Sequence, residues 1–93
     1  MSARFLIEVP HEVNKMDCLR AVEAVLKWGS HFLTHADWGC KDGVHKGWII
    51  VEVESKDEAR AIVPPAFRSH ATIVQLNSFS LDEIETMLRD PSS

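Results

Sequence analysis

The stretch Trp48–Glu54, with the sequence WIIVEVE, decides the fold of this chain. Its β-branched and aromatic residues are typical of a strand. Successive side chains of a strand point to opposite faces, so Ile49, Val51 and Val53 form one apolar face. The other face carries Trp48, Ile50 and Glu52. We therefore predict a strand with one side on a hydrophobic core and the other side open.

A second strand, Arg4–Val9, has the same two-sided pattern. Its apolar face consists of Phe5, Ile7 and Val9, and its other face of Arg4, Leu6 and Glu8. An antiparallel register that pairs Leu6 with Ile50 sets Arg4 across from Glu52 and Glu8 across from Trp48. The pairing of opposite charges favours this register.

The remaining elements follow from caps, turns and periodicity. Asn14 predicts the start of a helix over residues 15–28, closed by Gly29. We then expect a strand at Phe32–Trp38 and a glycine-rich hairpin loop at Gly39–Gly47. The capping box of Ser55 and Glu58 predicts a helix from Lys56 to about Val63, with a rigid exit at Pro64–Pro65. A strand at Thr72–Asn77 and a last helix, capped by Ser80 and ending before Pro91, complete the chain.

This order of elements predicts an α+β fold in a single domain spanning residues 1–93. Right-handed crossovers place the first and third strands at the centre of the sheet. The predicted architecture is a ferredoxin-like βαββαβ antiparallel sheet with a C-terminal helix, its two main helices on one face.

Charge and apolar content exclude several classes of function. The net charge is −4 and the ten basic residues are scattered, whereas nucleic acids and acidic membranes require a basic patch. We expect neither as a partner. With no signal-peptide pattern and no long apolar run, the expected location is the cytoplasm. There Cys18 and Cys40 are expected as thiols, Cys18 packing in the apolar stripe of the first helix.

The stretch Val53–Glu58, which leads to Pro64–Pro65, resembles the strand, capped helix and proline exit of muconolactone isomerases. The whole layout is similar to the dimeric α/β-barrel superfamily, to which these isomerases and the antibiotic-biosynthesis-type monooxygenases belong. The resemblance implies a homodimer whose two sheets face each other and enclose pockets. The segment from Gly29 to His45 has no counterpart in those enzymes, so the resemblance implies no catalytic residue.

The helix-free face of the sheet is the first candidate site. It mixes apolar Leu6, Leu33 and Ile50 with the polar residues Glu8, His35, Asp37, Trp48 and Glu52, which is typical of a small-molecule pocket. His35, Asp37 and Glu8 have the chemistry of acid–base catalysis. Ligand-binding roles fall to Trp48, Ile50, Leu6, Glu52 and, at the pocket mouth, Arg68. By analogy of fold, the reaction is isomerisation or cofactor-free oxidation of a small carbonyl or aromatic compound.

One edge of the predicted sheet provides the alternative. It collects Glu8, His11, Asp37, Cys40, His45, Trp48 and His70. His35, Cys40 and His45, with Asp37 or Glu8, offer the donors that zinc or another transition metal accepts. The second hypothesis is thus a metal-binding or sensing module, and otherwise no cofactor is indicated. A structural dimer without chemistry is the third.

Overall fold

A computed structural model of the chain describes residues 2–11, 14–28 and 35–90. In these ranges the protein is α+β, with a four-stranded antiparallel sheet and four α-helices. The strands are β1 (Ala3–Pro10), β2 (Asp37–Trp38), β3 (Lys46–Val53) and β4 (Thr72–Leu76). The helices are α1 (Lys15–Lys27), α2 (Lys56–Ile62), α3 (Pro65–Arg68) and α4 (Leu81–Arg89).

The sheet has the order β2-β3-β1-β4, so the first and third strands are central, as predicted. The register of β1 on β3 is also confirmed: Leu6 lies opposite Ile50, Arg4 opposite Glu52 and Glu8 opposite Trp48. On its other edge β1 pairs antiparallel with β4. The handedness of the crossovers thus predicted the two central strands, and alternation with charge pairing predicted their register.

The hydrophobic core lies between one face of the sheet and the helices. Phe5, Ile7, Ile49 and Val51 are buried there, with Ile7 fully buried. Val25 of α1 packs into the same core, together with Ala59 and Ile62 of α2. The predicted division of β1 and β3 into an inner and an outer face is therefore confirmed.

Local signals fix where the helices begin. The Asn14 side chain accepts hydrogen bonds from the backbone N–H groups of Met16 and Asp17, which caps α1. In the same way the hydroxyl of Ser55 caps α2 and that of Ser80 caps α4. The predicted end of α2 before Pro64–Pro65 is confirmed, since α2 ends at Ile62 with Val63 as its cap. Pro65 is the first residue of a further short helix, α3, which was not predicted. Proline is suited to that position, since its missing N–H has no partner in a first helical turn.

The second strand is shorter than predicted. Within the described residues only Asp37–Trp38 pairs with β3, and His35 and Ala36 precede the strand. Ala36 and Trp38 pack against the core, opposite to the open face on which Asp37 was predicted. The predictions for Gly29, Phe32 and Leu33 concern positions outside the described residues.

Several elements of the described chain carry exposed apolar side chains, among them α1, the open face of the sheet and α4. On the open face of the sheet, Ile50 is 58% and Val74 is 45% exposed. On α4, Leu81 is 72% and Leu88 is 75% exposed, and Ile84 is the one side chain of that helix that is partly buried. Across the described ranges, no helix has both the length and the apolar character that spanning a bilayer requires.

Candidate metal centre

The antiparallel register brings two histidines together at one end of the sheet. Pro10, the last residue of β1, lies opposite Lys46, the first residue of β3. One step further, the backbone N–H of His11 donates to the carbonyl oxygen of His45 at 3.0 Å. The two imidazole rings lie edge to face with centroids 5.7 Å apart.

The β2–β3 hairpin adds a cysteine to these histidines. The pairing of Trp38 with Gly47 is extended by a hydrogen bond from Gly39 N–H to the carbonyl of Lys46 at 3.1 Å. Cys40 comes next, at the start of a 3₁₀ turn, Cys40–Asp42, which ends at Gly43. Gly43 has a φ of 79°, a left-handed conformation that glycine adopts at little cost. The turn folds the chain back so that Cys40 and His45 are neighbours.

The fourth residue comes from α1. Cys18, Ala21 and Val25 form the buried side of this helix, and Cys18 is 4% exposed. The prediction that Cys18 packs on the apolar side of the first helix is therefore confirmed as to its burial. Its sulfur does more than fill space, however, because it lies against the sulfur of Cys40.

We call His11, Cys18, Cys40 and His45 the His–Cys cluster. One ligand atom from each residue lies within 4.8 Å of all the others. The Nε2 atom of His11 is 3.0 Å from the sulfur of Cys18 and 3.0 Å from that of Cys40. The two sulfurs are 3.1 Å apart, and both cysteines are free thiols. Four potential ligands from three separate parts of the chain thus point to one position.

The electrostatics of the cluster favour neutral ligands. Burial, and after it the proximity of His45, lowers the pKa of His11, so the ring stays neutral near physiological pH. The hydrogen bond to Cys40, with burial and the negative charge of a Cys40 thiolate, raises the pKa of the Cys18 thiol. A neutral imidazole is the form that binds a metal. A thiol must first lose its proton, and a cation between the sulfurs would favour that loss.

Two ring nitrogens in the cluster lack a partner. The Nδ1 atoms of His11 and of His45 are buried and have no hydrogen bond. Nearly all buried polar atoms in proteins are hydrogen-bonded, and an exception often marks the position of an ion or of reactive chemistry. The sulfurs contact the other ring nitrogen of His11, Nε2, so an ion at the cluster would bind that nitrogen and leave the Nδ1 of His11 as it is.

The donor set suits zinc. Two thiolates and two imidazoles form one of the common tetrahedral zinc sites, whereas magnesium and calcium prefer oxygen ligands. In such a site, zinc bonds of about 2.0–2.3 Å put neighbouring donor atoms about 3.4–3.8 Å apart. The contacts to His11 and between the sulfurs, 3.0–3.1 Å, are slightly shorter. Side-chain movements of under about 1 Å would therefore admit the ion.

The structure separates the residues that the sequence grouped as metal ligands. Cys40 and His45 are together, and His11 lies with them at the predicted edge. His35 instead lines a recess on the open face of the sheet, with a volume of about 280 Å³. We call this the open-face recess; it is lined by Leu6, His35, Asp37, Trp48, Ile49 and Ile50. Cys18 takes a position in the cluster that the sequence assigned to His35.

Three other predicted site residues, Glu8, Trp48 and Arg68, have hydrogen-bond partners. The indole N–H of Trp48 donates to Glu8 Oε1 at 3.0 Å, and Glu8 Oε2 lies 3.6 Å from Lys46 Nζ. Arg68 donates to the carbonyl oxygens of Val63 at 2.7 Å and Ala61 at 3.0 Å, so its guanidinium ties α3 to the end of α2. Glu52 is exposed on the open face.

The comparisons with protein-family models, with curated proteins and with solved structures found no match to this chain. The assignment of this site therefore depends on its geometry and its donor chemistry alone.

Proposed function

We propose that this protein binds a transition-metal ion, with zinc as the best fit, through His11, Cys18, Cys40 and His45. The observation that carries the proposal is the convergence of two sulfurs and two imidazoles within 4.8 Å. All four side chains are buried or half-buried, so the ion would be largely shielded from water.

A site with four protein ligands is closed, which is typical of structural or sensing metals rather than catalytic ones. The ion would join the end of β1, the second turn of α1 and the β2–β3 hairpin. Because no single segment supplies more than two ligands, occupancy would control how the hairpin packs on α1. We therefore favour a metal-stabilised or metal-sensing domain over a metalloenzyme.

The fold and assembly that accompany this function are also proposals. The central β1 and β3 support a ferredoxin-like arrangement and membership in the dimeric α/β-barrel superfamily. In a homodimer, the second subunit would cover Ile50 and Val74 of the open sheet face. The exposed leucines of α4 would then have a second subunit to pack against. Free thiols at a metal site require a reducing compartment, which favours the cytoplasm.

The open-face recess supports a second candidate function. Leu6 and Ile50 give it an apolar floor, and His35, Asp37 and Trp48 give it polar and aromatic walls. A volume of about 280 Å³ suits a small ligand, and the sheet of a second subunit would enclose it further. Isomerisation or cofactor-free oxidation of a small carbonyl compound is the reaction that we would test first. A ligand-induced thermal shift that survives in both Trp48→Ala and His35→Ala would contradict this second candidate.

Metal titration tests the main proposal. The reduced, chelator-treated protein should take up one zinc or cobalt ion per chain, and the cobalt form should show thiolate-to-cobalt charge-transfer absorption. Cys40→Ser and His45→Ala should each weaken binding at least about 100-fold, because a ligand to the ion is lost. His35→Ala and His70→Ala are matched histidine controls outside the cluster and should bind like the unaltered protein.

The titration has a clear negative outcome. If the unaltered protein takes up no stoichiometric metal, the proposal fails. If binding is lost in His35→Ala but kept in His11→Ala and Cys18→Ser, the ligand set is the one expected from the sequence, and the cluster is not the site.

A further inference from the structure

The two cysteines of the chain lie in direct contact although 22 positions separate them in the sequence. Their sulfurs are 3.1 Å apart, and a disulfide bond requires about 2.05 Å. A shift of about 1 Å, within the reach of side-chain rotation, would bring them to bonding distance. Both are free thiols in this structure.

We infer that Cys18 and Cys40 form a redox-active pair that a hydroperoxide converts to an intramolecular disulfide. The part of the inference that concerns metal release rests on the proposed function, because the same two sulfurs would be zinc ligands. Disulfide formation itself requires only the two adjacent sulfurs and the hydroperoxide.

Exposure assigns different roles to the two thiols. Cys40 is half-buried in the hairpin turn, whereas Cys18 is 4% exposed under the sheet. A peroxide therefore reaches the sulfur of Cys40 first. Cys18 is shielded from the oxidant but touches Cys40, which is the arrangement of a resolving cysteine.

The reaction balances in two steps. In the first, the sulfur of Cys40 attacks one peroxide oxygen and the O–O bond breaks. The other oxygen leaves with the thiol proton as water or an alcohol, and Cys40 becomes a sulfenic acid. In the second, the sulfur of Cys18 attacks that of Cys40, the S–O bond breaks and water leaves. The two thiols are oxidised by two electrons, and one hydroperoxide is reduced.

The disulfide and the metal exclude each other. Zinc binds thiolates, and neither sulfur of a disulfide retains the charge or the lone-pair donor strength of a thiolate. Oxidation would leave only His11 and His45 as ligands, which is too few for a stable site. Bound zinc would in turn hold both sulfurs in its coordination shell and slow their oxidation.

The experiment uses the full-length reduced protein, first without metal. Hydrogen peroxide should lower the intact mass by two hydrogen atoms, and peptide mapping should show Cys18 linked to Cys40. In Cys18→Ser, Cys40 should accumulate as a sulfenic acid that dimedone traps. In Cys40→Ser, the remaining Cys18 should react with iodoacetamide at least about 10-fold more slowly than Cys40 does in Cys18→Ser, because it is buried.

A second arm addresses the metal. Zinc-loaded protein should be oxidised at least about 10-fold more slowly, and complete oxidation should release one zinc ion per chain to a coloured chelator. The oxidised protein should regain zinc binding after reduction. Since the mass change is read without metal, a protein that never binds zinc would refute the proposed function and leave the disulfide measurement intact.

Several results would overturn the inference. They are disulfides between chains instead of within one chain, faster modification of Cys18 than of Cys40, or mass gains of oxygen with no loss of hydrogen. Circular dichroism of Cys18→Ser and of a second variant, Cys18→Ala, shows whether the helix is retained. If Cys40 sulfenic acid forms in neither folded variant, the assigned role of Cys40 is wrong.

Discussion

The His–Cys cluster and the open-face recess lie on opposite faces of the same sheet. They differ in the hydrogen-bond partners of their polar atoms. In the cluster, the nearest partners of the thiols and of His11 Nε2 are other members of the cluster, and two ring nitrogens have none. Beside the recess, Trp48 and Glu8 form a conventional hydrogen bond, with Lys46 close by. Proximity of polar residues alone does not define a site. Buried donors whose nearest partners are other potential metal ligands are the stronger indication.

The largest expected effect is the loss of zinc affinity when the pH is lowered. It should concern the His–Cys cluster and not the open-face recess. Since the pKa of the Cys18 thiol is raised, the metal-free protein holds this proton at neutral pH and zinc must displace it. The neutral ring of His11 releases no proton in that range, because its pKa is lowered. Zinc affinity should therefore fall by at least about tenfold per pH unit between about pH 8 and pH 6.5, because zinc must displace the proton of Cys18. Competition titrations against a chelator of known affinity measure this slope, and a flat profile would contradict thiolate ligation.

The next largest effect concerns stability and should distinguish the two faces of β3. The adjacent residues Ile49 and Ile50 lie on opposite faces, so alanine substitutions at the two positions make the comparison. Ile49 is 6% and Ile50 is 58% exposed. Ile49→Ala should lower the free energy of unfolding by about 2–5 kcal/mol, because it leaves a cavity in the core. Ile50→Ala should cost less than about 1 kcal/mol in a single chain. Urea denaturation at two protein concentrations makes the comparison. A loss at Ile50 that grows with concentration would indicate that a second copy covers the open face.

Zinc itself should stabilise the fold. At a free concentration of about 100 times its Kd, zinc should add about 2.7 kcal/mol to the free energy of unfolding. For a domain of this size, that corresponds to a rise in Tm of about 10–20 °C. Differential scanning calorimetry provides the measurement, with magnesium and the Cys40→Ser variant as controls. The same rise in Cys40→Ser would show that the stabilising ion binds elsewhere.

A smaller effect should come from the indole beside the recess. Trp48→Phe keeps an aromatic ring but removes the 3.0 Å hydrogen bond to Glu8, at a cost of about 1 kcal/mol in stability. Zinc affinity should not change, because Trp48 is not a ligand. Trp28→Phe, at a tryptophan that is 43% exposed, is the matched control. A large loss of zinc affinity in Trp48→Phe would show that the two regions are coupled.

The smallest effect should come from the cap of α1. Asn14→Ala should destabilise the metal-free protein by about 1 kcal/mol. Because Cys18 lies in the following turn, zinc affinity should also fall, by less than about tenfold. Ser80→Ala removes a similar cap from α4, far along the chain from every ligand, and should leave zinc affinity unchanged. Equal effects of the two variants on zinc binding would contradict the view that the cap positions Cys18.

Much of the fold could be predicted because alternation and capping are local signals. The pairing of Leu6 with Ile50 and the caps at Asn14 and Ser55 agree with the structure. The end of β4 at Leu76 and the short length of β2 could not be predicted from such local signals. Strand ends depend on partners across the sheet, which a segment's own composition does not contain.

Three of the four cluster residues could have been brought together by the same reasoning from the sequence. Extending the register of Leu6 with Ile50 by five residues along β1 pairs His11 with His45. Alternation then points both toward the helices, on the side to which Cys18 of α1 also points. The remaining information, that Cys40 folds back beside His45, depends on the 3₁₀ turn of the hairpin. Backbone turn geometry of this kind has only a weak signature in a glycine-rich loop.

Trp38 lies so close to His11 that its fluorescence would report on the state of the His–Cys cluster. Its ring stands edge-on to that of His11, with centroids 5.8 Å apart, and Gly47 leaves room for it because a Cβ there would come within 2.8 Å of the indole. An emitting indole this close to His11 would respond to the charge of a bound cation or to proton uptake by the imidazole. In a double variant, Trp28→Phe with Trp48→Phe, the remaining fluorescence would come from Trp38 alone. Ion binding and thiol oxidation could then be followed in real time without an added dye.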